Sequence, residues 1–433
     1  MAYLHPPLTP PRYSEPASTD HARMAEEIVT TLLPEVVEEV AIRLWNGRLA
    51  WGGGEARCTL VFRHPAPIRE LILFRSLFRL TDAYLAGFVD VEGDFEQLFR
   101  LQKPLESMAL SWRQKARLLR LALSLPGYPK DRIPTRWCRS GERDENCRET
   151  IAHHYDVSNG FYRLWLDPEM VYSCAYFASP EQELAAAQRD KLEYICRKLR
   201  LEPGQKLLDI GCGWGGLALW AARHHGVEVH GITLSEQQHE WANRRVKEEG
   251  LETRVRIELK DYRELDAEGV YDRVVSVGMF EHIGVANFPR YFGTVKQVLK
   301  PGGLFLNHGI TNTRGWRPTL STRFINTYIF PDGELARISD VIDAMEKAGF
   351  EILDTENLRR HYAMTLRHWV RNLEAHREEA VAESGETTYR LWRLYMAGCA
   401  FNFEDGDIAI HQVLAGHRNQ NPPVPLRRDD LYR

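Results

Sequence analysis

The second half of the chain alternates two patterns of hydrophobic and polar residues. From residue 179 onward, short apolar runs are followed by segments whose apolar residues recur every three or four positions. The periodic segments predict helices, and the short runs predict β-strands. This alternation predicts an α/β fold, in which a parallel sheet has helices on both faces. The strands are expected at Lys206–Ile210, Val227–Ile232, Val255–Leu259, Arg273–Val277 and Leu304–Leu306.

The helix before the first of these strands has signals at both ends. Ser179 can cap its first turn, with Pro180 at the first helical position and Gln182 completing a capping box. Pro203 and Gly204 end it.

The first 140 residues follow a different pattern. Residues 1–22 are proline-rich and polar, which predicts a disordered leader. Residues 23–110 predict a small α+β domain, in which "LTDAYLAGFVDVEGDFEQLFRL" forms helix, turn and helix, with Gly93 and Asp94 at the turn. Residues 111–140 form a basic linker, and residues 141–433 form the large α/β domain.

Composition limits the class of protein. The 433 residues have a formal net charge of −4, which gives no reason to expect a nucleic acid partner. The seven cysteines contain no CxxC pair, which favours a reducing cytoplasm over a disulfide framework and predicts no metal site. No apolar run approaches the roughly 18–20 residues that cross a bilayer, so any membrane contact is expected to be peripheral.

The segment from Trp112 to Arg139 differs from this acidic background. It contains eight basic residues and one acidic residue, a local net charge of +7. Each Lys or Arg near an anionic leaflet contributes about 1 kcal/mol, so the segment could hold the protein at a lipid surface. A solvated linker explains the same charges, and the segment alone leaves both interpretations open.

The predicted strand ends carry the residues of a cofactor site. Ligands of parallel sheets bind at the carboxyl ends of the strands. The first strand ends in Asp209 and is followed by "IGCGWGG", whose glycines allow a backbone to approach a ligand closely. The spacing differs from the GxGxxG of dehydrogenases. The second strand ends at Thr233, with Ser235, Gln237 and Gln238 beyond it, and the third ends near Asp261 and Tyr262. These groups suit ribose, methionine and adenine, which predicts a methyltransferase-type sheet.

Two further strand ends carry groups that can handle protons. Glu281 lies just past the fourth strand, and His308 ends the fifth. Taken singly, Glu281 could equally form a salt bridge or a cap, and His308 would more often be a core histidine. Their placement at neighbouring strand ends favours a shared catalytic role.

Four motifs identify a family resemblance. They are "HHYDVSNGFYRLWLDPEMVYSCAYF", "GMFEHIG", "FLNHGI" and "LRRHYAMTLRHW". From about His153 to His411 the chain resembles the cyclopropane fatty acid synthases, a family that includes mycolic acid cyclopropane synthases and related lipid methyltransferases. The resemblance implies a class I S-adenosylmethionine-dependent methyltransferase fold, Rossmann-like, with a seven-stranded, mostly parallel sheet. The small amino-terminal domain is similar to the extra domain that many bacterial members carry, lipid docking is the role expected for it, and members often form homodimers.

The resemblance also implies a set of site residues. In the family, a bicarbonate ion is held at the positions that correspond here to Cys174, Glu281, His308, Ile310 and Tyr362. Spacing alone would make Cys174 a buried apolar residue and Tyr362 a packed aromatic residue. The cofactor contacts implied by the resemblance, together with the acidic end of the first strand, are Tyr172, Ser173, Asp209, Gly211, Gly213, Thr233, Gln238, Asp261 and Tyr262.

The expected activity is transfer of a methylene unit from S-adenosylmethionine to the cis double bond of a phospholipid acyl chain, with bicarbonate as the base. One position departs from the family, which usually has His-Thr-Ile where this chain has His308-Gly309-Ile310. The product could therefore be a cyclopropane ring, a methylene group or a methyl branch. Methylation of a small amine is a second hypothesis, and a lipid-binding protein with a vestigial cofactor fold is a third. The expected location is cytoplasmic, at a membrane surface.

Overall fold

The computed structural model describes residues 19–129, 157–315, 319–330 and 333–432. Most of the predicted leader therefore lies outside the described residues, as do residues 130–140 of the basic segment and the first residues of the predicted large domain. Residues 19–22 were expected to belong to the disordered leader, but they form the first turn of a helix.

The strands have the following bounds: β1 Val40–Arg43, β2 Leu49–Trp51, β3 Cys58–Phe62, β4 Val89–Gly93, β5 Lys206–Ile210, β6 Glu228–Thr233, β7 Val255–Leu259, β8 Tyr271–Val277, β9 Leu299–Asn312, β10 Phe350–Asn357 and β11 Ile408–His417.

The α-helices have the following bounds: α1 Thr19–Leu32, α2 Ala66–Phe74, α3 Phe78–Leu85, α4 Gln102–Ser107, α5 Trp112–Ser124, α6 Asn159–Arg163, α7 Leu184–Lys198, α8 Gly216–His225, α9 Glu236–Glu248, α10 Phe288–Val298, α11 Leu320–Phe324, α12 Ile338–Lys347, α13 Arg359–Ala375, α14 Arg377–Ser384 and α15 Glu386–Asp405. Along the described residues, none is both long enough and apolar enough to cross a lipid bilayer.

The predicted α/β class is confirmed by a seven-stranded sheet in the order β10-β11-β9-β8-β5-β6-β7. Strands β5 to β9 pair in parallel, and β11 alone runs in the opposite direction, antiparallel to both β9 and β10. Alternate residues of β5 face opposite sides: Leu207 packs in one hydrophobic cluster and Leu208 in the other. The chain leaves β5 toward β6 on one side and returns to β8 on the other. Such a reversal is where open α/β sheets bind ligands.

The described residues divide into two compact units, whose composition differs from the predicted domains. The first unit holds the described residues up to 129 together with 319–329 and 377–401, and the second holds the remainder. The sequence had placed both later segments in the large domain.

The first unit has a four-stranded sheet in the order β2-β1-β3-β4. The later segments pack into it through specific bonds. Tyr328 donates to the carboxylate of Asp82 at 2.5 Å, and the buried guanidinium of Arg390 donates to the carbonyls of Tyr84 and Val89. The first part of the predicted linker is also structured, because α5 packs against α1 and α2.

Two local predictions were wrong. The helix expected from Ser179 begins at Leu184, because residues 179–182 form a turn in which Gln182 N donates to the Ser179 carbonyl. The predicted helix-turn-helix around Gly93 contains β4, which pairs with β3 along its whole length. Its alternating Val89 and Val91 are buried, and this alternation was the available signal for a strand.

Candidate functional site

The glycine loop after β5 has the backbone geometry that the sequence predicted. Gly211 and Gly213 have φ angles of +80° and +54°, a region that residues with a side chain seldom adopt. The amides of Gly211 and Cys212 both donate to the carbonyl of Ile232 at 3.0 Å, which ties the loop to β6. Gly215 then begins α8, so the start of that helix faces the same edge of the sheet.

The other predicted cofactor residues lie at the carboxyl ends of β6 and β7. The Thr233 hydroxyl donates to the Gln238 side-chain oxygen at 2.8 Å. The carboxylate of Asp261 is bonded by Arg263, which holds the pKa of Asp261 below its usual value. Tyr262 is buried, with its ring edge-on to Tyr291 at 5.3 Å.

Tyr172, Ser173 and Cys174 follow a loop that a buried carboxylate shapes. Asp167 is 4% exposed and accepts from the amides of Glu169 and Val171, both at 3.0 Å. These two bonds enclose Met170, whose φ of +57° is unusual for a residue with a side chain. The Asp167 carboxylate therefore stabilises a backbone conformation that would otherwise be costly.

Two helices hold the segment that follows this loop. From α7, Gln188 donates to the Ser173 carbonyl at 2.9 Å, and the ammonium of Lys191 donates to the Ser173 hydroxyl at 2.8 Å. From α13, the Thr365 hydroxyl accepts from the Ala175 amide at 3.0 Å. Three consecutive residues that the resemblance implies for the site are thus held on both sides.

Lys191 and Asp209 are buried in the second unit and influence each other electrostatically. Both side chains are buried, at 1% and 2% exposure. Burial lowers the pKa of Lys191 to about 8, while the negative charges of Asp167 and Asp209 oppose that change. Burial raises the pKa of Asp209 to about 7, and Lys191 opposes this. Each group favours the charged form of the other, and both remain titratable near neutral pH.

His308 is fully buried and has a defined tautomer. Its Nδ1 lies 3.4 Å from the Gln412 side-chain amide on the neighbouring strand β11. With the Gln412 amide in this orientation its nitrogen donates, so Nδ1 is the acceptor and the proton lies on Nε2. Nε2 has no hydrogen-bond partner among the described residues. Burial lowers the pKa of His308 well below its usual value. A neutral imidazole therefore carries an N–H donor that the described chain leaves unused.

Glu281 lies in a short helical turn just after β8 and is 7% exposed. Its Oε1 accepts weakly from the amide of Ile310 at 3.4 Å, and Oε2 has no partner within the described ranges. Burial raises the pKa of Glu281 to about 7, so the group can carry or release a proton near neutral pH.

The Cys174 thiol lies 3.2 Å from the carbonyl of Ala175 and also contacts the carbonyl of Leu358, just before the helix that carries Tyr362. The Leu358 carbonyl accepts from the Tyr362 amide at 3.1 Å and from the Cys174 thiol at 3.8 Å. The Leu358 amide donates to Ile410, which pairs with Ile310 across the sheet. Burial raises the pKa of Cys174, so this residue is a neutral thiol and not a thiolate.

Glu281 and His308 make no hydrogen bond with each other, although both are described residues. Successive residues of a strand face opposite sides, so His308 and Gly309 point to opposite faces of β9. Glu281 lies on the Gly309 side: a Cβ at Gly309 would be 2.6 Å from Glu281 Oε2 and 2.1 Å from a ring carbon of Phe280. The carboxylate and the imidazole are therefore not side by side, and the glycine is required by Phe280 and Glu281.

An aromatic cluster extends from the glycine loop to Tyr362. Tyr172 lies within 6 Å of Tyr162, Trp165 and Trp369, measured between ring centroids. Tyr162 also contacts Trp214 of the glycine loop at 4.8 Å, and Trp369 contacts Tyr362 at 5.9 Å. Aromatic faces stabilise cations. The cluster therefore lies between the predicted cofactor residues and the predicted bicarbonate residues, and its ring faces can stabilise a cation away from water.

Lys191, Gln188 and Gln412 were missed by the sequence analysis. Gln188 and Lys191 occupy positions on the buried face of α7, in register with Leu184, Leu192 and Ile195. Polar residues at apolar positions of an amphipathic helix were a signal for both. Gln412 reaches His308 from 104 positions away, and the sequence offered no sign of this contact. Within the described ranges, no group of three His, Cys, Asp or Glu side chains is arranged to hold a metal ion.

Comparison with known proteins places these features in one family. A sequence profile described as "Mycolic acid cyclopropane synthetase" matches residues 142–413. The "Probable fatty acid methyltransferase" of Pseudomonas putida is 41% identical over 401 residues, which cover 90% of this chain and 96% of that protein. The "Cyclopropane-fatty-acyl-phospholipid synthase" of Escherichia coli strain K12 is 38% identical over 310 residues, 71% of this chain and 78% of that protein.

A solved structure agrees with this assignment. The mycolic acid cyclopropane synthase CmaA1, complexed with SAH and CTAB, superposes with a TM-score of 0.58 at 34% identity. The superposition covers 62% of this chain and 97% of that one. The predicted fold class and the family resemblance are thereby confirmed.

Proposed function

The chain belongs to the mycolic acid cyclopropane synthetase family, and on that premise we propose that it adds a methylene unit from S-adenosylmethionine to the cis double bond of an unsaturated phospholipid acyl chain, forming a cyclopropane ring. The observation that carries the proposal is the unused N–H of the buried, neutral His308, in a unit that also has an intact glycine loop. Such a donor suits an anion that takes part in proton transfer.

The reaction balances without an oxidant or a reductant. The π electrons of the alkene attack the methyl carbon of the sulfonium, the carbon–sulfur bond breaks, and a neutral thioether leaves. One alkene carbon then carries positive charge. Loss of a proton from the transferred methyl group allows the ring to close.

The proposed base is a bicarbonate ion held by His308, whereas Glu281 lies on the opposite face of β9 and, within the described residues, makes no hydrogen bond with that imidazole. His308 Nε2 would donate to it, and the amide of Ile310 could do so after release from its weak bond to Glu281. Glu281 can accept or return a proton because its pKa is about 7. Cys174 and Tyr362 are the further residues that the family resemblance assigns to this enclosure, and the Cys174 thiol contacts the carbonyl of Leu358 just before the helix that carries Tyr362. When bound, bicarbonate would supply the base for the deprotonation.

The chain's own residues must also protect a cationic centre from water. Trp165 and Trp369 are fully buried, and Tyr172 packs against both. Their rings exclude water, which would trap the cation as an alcohol, and their faces favour positive charge. Lys191 orients Ser173 beside this cluster through its 2.8 Å bond.

Binding of the protein to a membrane surface that contains its acyl chains is proposed to involve α5. This helix carries a stripe of exposed apolar residues, Trp112, Leu119 and Leu123, at 73%, 46% and 60% exposure. Four basic and no acidic residues accompany them in the helix. Apolar and basic groups together suit an anionic lipid surface, so peripheral association from the cytoplasmic side is proposed.

A methylene or methyl branch is the second candidate product. It is supported by the fatty acid methyltransferase name of the Pseudomonas putida relative and by Gly309, where a Thr side chain would collide with Phe280. A 1,2-hydride shift moves the positive charge to the carbon that bears the new methyl group, and loss of a proton from that methyl group then gives the methylene branch.

The test is incubation of the full-length protein with S-adenosylmethionine and vesicles of unsaturated phospholipid. Acyl chains heavier by one CH2 and lacking olefinic protons are expected for the ring, whereas retained olefinic protons at a new position indicate the methylene branch. Chains that remain unchanged would refute both products. A dependence of the rate on added bicarbonate separates this chemistry from methylation of an amine, which needs no such ion.

A further inference from the structure

The four-stranded sheet of the first unit borders a cavity of about 170 Å³. Sheet residues such as Leu60 and Val91 line one side. The other sides come from α1, α2 and α3, from residues 95–105, and from Leu320 and Leu394. Within this described part of the unit, only Thr81, Tyr84 and Gln102 among the lining side chains carry a polar atom, and none is charged. Protein interiors seldom leave so much space unfilled. The lining therefore suits an apolar occupant.

Size and chemistry restrict what that occupant can be. An engineered cavity of about 150 Å³ lined by Leu, Ile and Phe stays dry and binds benzene, so this cavity can hold a hydrocarbon segment of about six carbons. A polar head group would lose its hydrogen bonds inside such walls. A flexible hydrocarbon chain with its polar end outside meets both conditions.

On the side of α2 and α3, the cavity lies beneath side chains that are only half-buried. Leu71, Leu77 and Leu80 line the cavity and are only half-buried, whereas the sheet residues opposite them are buried. Between these two helices, Phe74 is 48% exposed and Arg75 is fully on the surface. An exposed ring beside a guanidinium suits the boundary between a hydrocarbon chain and an anionic head group.

We propose that this cavity binds the end of a fatty acyl chain, as a lipid site separate from the chain that reacts in the second unit. The inference rests on the proposed function, because that function supplies the lipid. A chain held in the first unit would retain the enzyme at its substrate's surface and raise the local concentration of reactive lipid.

The experiment measures how many acyl chains the full-length protein binds, by native mass spectrometry with oleic acid. The wild type is expected to bind two chains. Leu80→Trp fills the cavity and should reduce this to one, with at least a tenfold loss of affinity at that site. Oleic acid should also raise the melting temperature of the wild type more than that of the variant. Val36→Trp, which adds the same ring at an exposed position, should bind two chains.

Leu98→Trp narrows the cavity from another wall and replaces Leu80→Trp if that variant fails to fold. A second arm uses vesicles of unsaturated phosphatidylglycerol: retention of intact phospholipid assigns the chain to a membrane lipid, and binding of oleic acid alone assigns it to free fatty acid.

Equal binding by wild type and both filled variants would overturn the inference. If the filled variants bind one chain fewer but no lipid is ever alkylated, the cavity site stands and the proposed function fails. If lipid is alkylated but the filled variants bind as many chains as the wild type, the proposed function stands and the cavity site fails.

Discussion

Asp209 is the buried carboxyl group at the end of β5, and its pKa of about 7 makes cofactor binding sensitive to pH. S-adenosylmethionine carries positive charge, which favours the ionised carboxylate. We expect its affinity to rise by up to about tenfold between pH 6 and pH 8, as Asp209 loses its proton. Isothermal titration across this range measures the change, and Asp209→Asn should flatten it. An unaltered slope in that variant would contradict the assignment.

The same pKa shift has the opposite consequence for the protein without cofactor. The folded state holds the proton on Asp209 more tightly than the unfolded chain does, since the ordinary value is 3.8. This group's contribution to stability is therefore greatest at low pH and is lost as the pH rises toward 7. At pH 8, Asp209→Asn should unfold at a higher temperature than the wild type in the absence of cofactor.

Glu281 is expected to be needed for turnover and not for cofactor binding. Glu281→Gln keeps the shape of the side chain but cannot take up or release a proton. Turnover should fall by about a hundredfold or more, as for the loss of a general acid–base group, while the cofactor affinity from titration stays within about threefold. Glu268→Gln, an exposed carboxylate on the loop before β8, is the matched control. Normal turnover by Glu281→Gln would remove Glu281 from the proposed machinery.

Gly309 is predicted to tolerate no side chain, because its Cβ would overlap the buried ring of Phe280. Gly309→Ala should lose about 1–3 kcal/mol of stability through overpacking and should lose activity through displacement of Glu281. Gly309→Ala combined with Phe280→Leu should recover part of both. Gly293→Ala in α10 is the control, since a Cβ there meets nothing within 4 Å. Thermal unfolding and product formation provide the two measurements, and a Gly309→Ala protein as stable as the wild type would refute the prediction.

The strand-end residues of the site could be predicted from sequence, because the carboxyl ends of parallel strands meet at one edge of a sheet. Asp209, Thr233 and Asp261 follow from this rule alone. The tautomer of His308 could not be predicted, since it depends on a contact with Gln412 across the sheet. The separation of His308 from Glu281 depends likewise on which face each residue takes at the end of its strand.

At the scale of elements, α5 packs one face against the first unit and presents a second face, basic and apolar, to solvent. Leu118 and Ala122 are buried against the first unit, while Trp112, Leu119 and Leu123 remain exposed. The sequence therefore identified a basic segment correctly, but its structured half is a packed helix and not a linker. The sequence of this helix has apolar residues on two faces, so the pattern alone could not predict which face packs against the core.

Vesicle binding tests the exposed face of α5. Replacing Arg113, Lys115 and Arg120 by Gln should weaken binding to anionic vesicles by about a hundredfold, at roughly 1 kcal/mol for each charge. Sedimentation with vesicles at low salt provides the measurement. Replacing Leu119 and Leu123 by Ser should weaken binding to neutral vesicles as well, because these side chains contribute through burial and not charge.

A matched triple variant controls for net charge. Lys247, Lys347 and Arg427 are exposed on the second unit, and their replacement by Gln removes the same total charge. That variant should bind anionic vesicles almost as tightly as the wild type. Equal losses in both triple variants would show that net charge, and not α5, governs the association.

At the scale of the whole molecule, the first unit is assembled from three separated stretches of chain. Arg390 joins the last stretch to the sheet: it bonds two backbone carbonyls and the carboxylates of Asp90 and Glu386. Arg390→Met leaves the two buried carbonyls without this donor, while Asp90 and Glu386 keep Arg63 and Arg377, and it should cost about 1–3 kcal/mol in the first unit.

Calorimetry and titration together check this prediction. The unfolding transition of the first unit should move to a lower temperature, while the cofactor affinity, which belongs to the second unit, stays within about twofold. Arg371→Met removes an exposed arginine and should change neither quantity. A simultaneous loss of cofactor binding in Arg390→Met would show that the two cores are not independent.

The bond from Arg393 to the carbonyl of Val91 spans 302 positions, and this length has a consequence during translation. A ribosome adds about 5–20 residues each second, so roughly 15–60 s pass between the two residues. Throughout that interval the four-stranded sheet and the apolar cavity beside it lack α15, the helix that carries Arg393. We therefore expect molecular chaperones that bind exposed apolar surface to bind the first unit of the nascent chain during this interval.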